Sequence, residues 1–277
     1  MAKRYKVGWF STGRGAGSKA LLKAACDAIE IGELNAEIEF VFCSRERGET
    51  DPTDQYLDIV KDYGIPLVSF SYQKYRAVRG MPNPDPLKPL PPWRTDYDVE
   101  VITRLKNFHP DLVMLAGFML ITSPLMCEKY KILNLHPAAP GGPTGTWQQV
   151  IWKLIQTKAR IQGVKMHVAI PELDMGPTAT YCLFPIRGVA FDRYWEEIKG
   201  KTVEAIKAEQ GVENMLFKTI RAHGAARELP LTVATLKVLS EGKITITEDR
   251  KVIDAAGHFI EGYDLTQEID EKLKKAL

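Results

Sequence analysis

The sequence predicts an α/β fold: an open, mostly parallel twisted sheet with helices on both faces, followed by a C-terminal helix-plus-hairpin region. Three observations predict it. Short apolar runs of strand length alternate with stretches of helical period as far as Pro185. A glycine cluster falls directly between the first strand and the first helix. Polar residues able to do chemistry, Asn134 and His136, stand at the end of a later apolar run, the end of a parallel strand at which ligands bind.

Each element has its own signal. Residues 6–10 form a short apolar run. Leu21, Ala24, Ala25, Ala28 and Ile29 then recur at three- and four-residue spacing, and Gly32 marks the stop. Residues 38–43 read as a second strand, 53–63 as a helix ended by Gly64, and 67–70 as a third strand. Pro82, Pro84, Pro86, Pro89, Pro91 and Pro92 follow closely on one another. No helix or central strand tolerates that density, so residues 76–95 are expected to be an inserted surface loop. Alternation resumes with a helix at 98–108, strands at 112–116 and 132–135, a helix at 146–156, and strands at 164–170 and 178–185. A long helical region at 193–223 leads to Pro230 and another helix, and residues 243–247 and 251–253 make a terminal hairpin. The expectation is one domain over residues 1–277, with the insertion at 76–95 and a C-terminal extension at 187–277.

Composition excludes several classes. With 277 residues the chain can bury a core without metal or disulfide staples. The 37 basic and 35 acidic residues nearly cancel, which argues against nucleic acid or a membrane surface as partner. The longest apolar run, 112–121, is about half of the roughly 20 residues a spanning helix needs. Residues 1–6 lead straight into a strand, without a secretory signal pattern. Cys26, Cys43, Cys127 and Cys182 lie far apart, so no zinc site or disulfide framework is expected and a reducing cytoplasm is the simplest setting.

Gly13, Arg14, Gly15, Ala16, Gly17, Ser18 and Lys19 form a candidate phosphate site. Glycines let the backbone approach a ligand closely, and amide N–H groups at a helix N-terminus favour an anion. The spacing is Gly-x-Gly-x-Gly, and a dinucleotide fingerprint would need glycine at Ser18. Arg45 and Arg47 suit a 2′-phosphate, which keeps an NADP-binding oxidoreductase as an alternative. Further along, Asn134 and His136 are two residues apart on one strand and face the same way. The turn-rich segment Glu172, Leu173, Asp174, Met175, Gly176, Pro177 can present a carboxylate to a cleft.

Three blocks in order, LVMLAGFMLITSP at 112–124, ILNLHP at 132–137 and GVKMHVAIPELDMGP at 163–177, resemble the formyltransferase fold family. With the glycine loop, the resemblance runs over about residues 6–186. It implies a Rossmann-like sheet and transfer of a formyl group from 10-formyltetrahydrofolate, a cosubstrate, to the amine of a small phosphorylated acceptor. Glycinamide ribonucleotide, in purine biosynthesis, is the first such acceptor. It also implies Asn134, His136 and Asp174 as the catalytic set, with no metal. The acceptor phosphate would lie on residues 13–19 and Gly117. The folate would lie against Met119, Leu120, Ile121, Glu172, Leu173 and Asp174. His167 matches a histidine of that family for which a packing or indirect role is expected. Folate and amine are the expected partners, and a homo-oligomer is compatible with the sequence. The chain departs from the family pattern at Lys19, at Leu120 and over residues 138–143. Another amine, such as an amino-sugar nucleotide, or water, as in a formyl-folate hydrolase, therefore stays open.

Overall fold

The computed structural model describes residues 3–81 and 90–275. Strand β1 (Tyr5–Ser11) ends in the glycine loop, and helix α1 (Ala16–Glu30) follows with Gly15 at its N-cap. Strand β2 (Ala36–Cys43), helix α2 (Asp51–Asp62) and strand β3 (Leu67–Ser69) complete the first half. The Thr50 hydroxyl caps α2 by accepting from the Thr53 amide.

The expected loop at 76–95 is shorter than the prolines suggested. Ser71 caps a helix α3 (Tyr72–Val78), and α4 (Pro92–Arg104) starts six residues before the expected helix. The physical reason is that a proline in the first helical turn removes only an amide that would have no partner there anyway. The stretch 82–89 lies outside the described residues. Next come β4 (Leu112–Leu115), α5 (Pro124–Lys129), β5 (Ile132–His136) and α6 (Trp147–Gln156). Helix α5 has no signal of its own beyond the Ser123-Pro124 start and was not expected. Helix α6 opens with a capping box between Thr146 and Gln149.

Strands β6 (Ile161–Val168) and β7 (Thr178–Pro185) precede two short helices, α7 (Asp192–Glu197) and α8 (Val203–Glu209). The long α9 (Met215–Ser240) then runs straight through Pro230, where the sequence predicted a break. The proline forfeits one backbone bond. Tertiary burial carries the helix past it: Leu216, Phe217 and Ile220 sit in one apolar cluster, and Leu231, Ala234 and Leu236 in another. Strands β8 (Ile244–Ile246) and β9 (Val252–Asp254) form the expected hairpin. Strand β10 (Tyr263–Asp264) and helix α10 (Thr266–Lys275), which the sequence reading did not anticipate, end the described chain.

The main sheet has the order β10-β7-β6-β5-β4-β1-β2-β3. It is mostly parallel, as predicted, but β6 is antiparallel to both β5 and β7. The chain runs outward from β1 to β3, then returns to β4 on the other side of β1. The carboxyl ends of β1 and β4 therefore border a topological switch point, where open α/β sheets bind ligands. One face of the sheet packs against α1, α9 and α10 in a single cluster that includes Trp9, Leu22, Met166, Leu236 and Ile269. The other face carries Phe10, Phe42 and Leu115, which pack in one cluster with Trp93, Tyr97 and Val101 of α4. The cysteines are buried and free.

Gly176 is where the fold tolerates no side chain. A Cβ there would lie 1.7 Å from the Val168 carbonyl oxygen. Gly176→Ala is expected to destabilise the protein by about 1–3 kcal/mol, the usual cost of forcing atoms into a packed site. Chemical denaturation would measure it.

Candidate active site

The register of β5 with β6 assembles the site. Asn134 lies opposite His167, and His136 opposite Lys165. Their neighbours Leu133, Val164, Met166 and Val168 point into the core on the other face. Four polar side chains thus form a two-by-two block on one face of the sheet, at the end of β5. Directly opposed residues in an antiparallel pair have Cβ atoms about 4.5–5.5 Å apart, close enough for their side chains to interact.

Asp174 reaches this block from the loop between β6 and β7. Its backbone is in the left-handed region, φ 59°, and Gly176 lets the loop lie flat on β6. One carboxylate oxygen is 3.8 Å from His136 Nδ1 and the other 3.7 Å from His167 Nε2. The Gly145 amide approaches the first of these oxygens at 3.4 Å. The hydrogen bonds give each imidazole a role. His167 Nδ1 lies 3.2 Å from the Val168 carbonyl, which can only accept, so Nδ1 carries the proton. His167 Nε2 is then free to accept from the Asn134 amide nitrogen at 3.2 Å. Burial, and next the charge of Lys165, push the His167 pKa down to about 4, so this ring is neutral at physiological pH. His136 Nε2 donates to the Pro143 carbonyl at 2.9 Å, leaving Nδ1 turned toward Asp174. One Asn134 amide hydrogen is held by His167 and the second remains available.

A cavity of about 880 Å3 opens beside the block. Asn134, His167 and Asp174 form its polar wall, and Phe118, Leu120, Ile121 and Leu173 supply apolar surface. Met119, 68% exposed, stands at the rim. Of the residues predicted for the folate side, Met119, Leu120, Ile121, Leu173 and Asp174 line this cavity, whereas Glu172 is exposed in the turn outside it. His136 sits behind the wall, 3% exposed.

The glycine loop lies one strand over, at the switch point. The Thr12 amide donates to the Gly117 carbonyl at 3.1 Å, and the Thr12 hydroxyl accepts from the Met119 amide at 2.9 Å. These bonds tie the loop after β1 to the loop after β4. Gly117 has φ 68°, and a Cβ there would fall 2.1 Å from the Ser18 hydroxyl. Ser18 is therefore buried in a packing role, while Arg14, Gly15, Ala16 and Gly17 are exposed. Helix α1 has no side-chain cap and no acidic residue in its first turn, which leaves its amides open to an anion. Lys19 is spent on Gln55, and Gly13 is held against the Tyr56 ring.

Several lining residues were not anticipated: Thr144, Gly145, Thr146, Gln149 and Lys153, from the Pro-Gly segment and α6. The Pro-Gly composition predicted a loop, but no local signal said that it would fold over the site. Lys165 was also missed. Its signal was a charged residue at an inward-facing strand position, two before His167.

Known proteins share this fold and parts of this sequence. The model of the "Formyl transferase" family matches residues 15–186. Phosphoribosylglycinamide formyltransferase of Escherichia coli is 32% identical over 99 residues, 34% of this chain and 44% of that protein. The chain thus spans under half the length of that curated relative. The Saccharomyces cerevisiae protein of the same name is 26% identical over 234 residues, 81% of this chain and 94% of the relative. The structure of a phosphoribosylglycinamide formyltransferase from Coxiella burnetii superposes with TM-score 0.64 at 19% identity, covering 95% of this chain and 99% of that one. That likeness is one of fold. The family model, by contrast, spans more than half of the chain, from the glycine loop to the end of β7, and on that ground the chain belongs to the formyl transferase family.

Proposed function

We propose that this protein transfers a formyl group from 10-formyltetrahydrofolate to the amine of a small phosphorylated acceptor, with glycinamide ribonucleotide as the acceptor that its relatives' names favour. The reading rests on one observation: Asn134 and Asp174 stand on the wall of a cavity, with His136 directly behind Asp174, beside an uncapped helix N-terminus. The apolar side of that cavity suits the flat pterin end of a folate. The glycine loop suits the acceptor phosphate. On the same reading, residues 1–277 make one domain, because α9 and α10 complete the core begun by α1.

The chemistry asks for three things that these residues supply. An amine attacking a formyl carbon builds negative charge on the formyl oxygen, and the free Asn134 amide hydrogen is placed to bond it. Protons must leave the attacking amine and reach the departing folate nitrogen, and His136 is the side chain suited to that exchange. Asp174 faces His136 Nδ1 and stabilises the imidazolium that forms when the ring takes a proton. His167 stays neutral, holding the Asn134 amide by one hydrogen while the other points to the cavity. No covalent enzyme intermediate is required.

The direct test incubates the protein with 10-formyltetrahydrofolate and a panel of amines, following tetrahydrofolate release. Turnover with glycinamide ribonucleotide is expected. Activity with a different amine alone would replace the acceptor, and release in water would make the protein a hydrolase. Asn134→Ala is expected to lower kcat by about 10²–10³, the cost of one oxyanion donor, and His136→Ala by about 10²–10⁴, with circular dichroism unchanged. Near-normal kcat in either would refute the mechanism. His167 supplies a pH prediction. Its folded pKa near 4 lies below the unfolded 6.5, so the unfolded chain binds the proton first as pH falls. Its contribution to stability is intact above about 6.5 and is lost progressively down to about 4. Urea denaturation across that range should show a flatter pH dependence in His167→Gln than in the wild type.

A further inference from the structure

Lys165 is a charge that the proposed chemistry does not use. It is 6% exposed in the middle of β6, and among the described residues its ammonium has neither a hydrogen bond nor an ion pair within 4 Å. Its stem is packed into the sheet while its ammonium pairs with none of the described residues, so the charge acts on its surroundings through space. The register places Lys165 opposite His136 on one side and Tyr181 on the other. Alternation along β6 puts it on the same face as His167.

The surrounding groups define what the charge acts on. His136 faces it from β5, His167 from its own strand, Tyr181 from β7 and Asp174 from the loop after β6. Helix α6 contributes Lys153 to the cavity wall. The segment 137–145, which crosses β6 so closely that a Cβ on Gly163 would meet Ala139 Cα at 3.0 Å, contains no titratable side chain. Asp174 faces both imidazoles, and its charge also reaches the Lys165 ammonium.

We propose that Lys165 is the counter-charge of Asp174, a positioning residue that balances the carboxylate between the two imidazoles and so sets the lower pH limit of the site. Burial lowers the Lys165 pKa and the Asp174 charge raises it again, while Lys165 in turn lowers that of His167. The ammonium and the carboxylate therefore sense each other across a space too wide for a direct bond. Lys165 touches no reacting atom in this arrangement. It acts through space, by its field at Asp174 and His136.

The inference rests on the formyl-transfer reading for its kinetic arm only. Lys165→Met removes the charge and keeps most of the volume, and Lys165→Arg keeps the charge. The acid limb of kcat/KM against pH is expected to move up by about one unit in Lys165→Met and to return in Lys165→Arg. An unmoved limb, or equal damage from both variants, overturns the proposal. The second arm needs no turnover. In imidazole NMR titrations, His167 should titrate at higher pH in Lys165→Met than in the wild type. With the protein isotopically labelled at lysine side chains, Lys165 should titrate at lower pH in Asp174→Asn. Histidine and lysine titrations that stay in place in these variants overturn it as well. If wild type transfers no formyl group to any amine, the functional reading fails while the NMR arm still decides the charge pairing. If Lys165→Met does not fold, the lysine titration in Asp174→Asn decides alone.

Discussion

The antiparallel pairing of β5 with β6 is the constraint on which the site depends. In a fully parallel sheet the residues beside Asn134 and His136 would come from a strand running the same way. Here the reversed strand sets His167 and Lys165 directly opposite them. A slip of one residue would turn all of β6 over, placing Met166 in the site and His167 in the core. The register is held from behind by Val164, Met166 and Val168, which pack with α9 residues in the core. Core packing and site assembly are two consequences of the same alternation.

A second level of order follows from that block. His167 is neutral because it is buried, and a neutral ring with its proton on Nδ1 can accept the Asn134 amide. Asp174 lies between two histidines because its loop can turn through a left-handed residue and lie flat over Gly176. The Pro-Gly segment after β5 then closes over the top, its Pro143 carbonyl fixing His136. Each step orients a group that the next one needs. The arrangement is therefore preorganised, the condition under which hydrogen-bond donors act most strongly on developing charge.

Legibility from sequence varied with how local each cause was. The strands and helices of the first half follow from periodicity and stop signals, and the Asn-His spacing is read from a single strand. The proline-rich stretch misled at its edges, because Pro92 starts a helix as readily as it breaks one. Pro230 misled for the opposite reason: its helix is held by two apolar clusters that no local window contains. Lys165 went unread since a lysine in a strand ordinarily points to water, and its burial comes from segments distant in the chain.

The sequence by itself determined the fold class, the glycine loop, the Asn134–His136 pair and the Asp174 loop, since each is a short-range pattern of residue type and spacing. The formyltransferase resemblance likewise rests on motifs carried by contiguous residues. Tertiary structure alone decided which strand reverses beside β5, which tautomer His167 adopts, that Ser18 is packed against Gly117, and that Lys165 stands opposite His136. These features depend on burial, register and the electrostatic field, which exist only once residues far apart in the chain have been brought together.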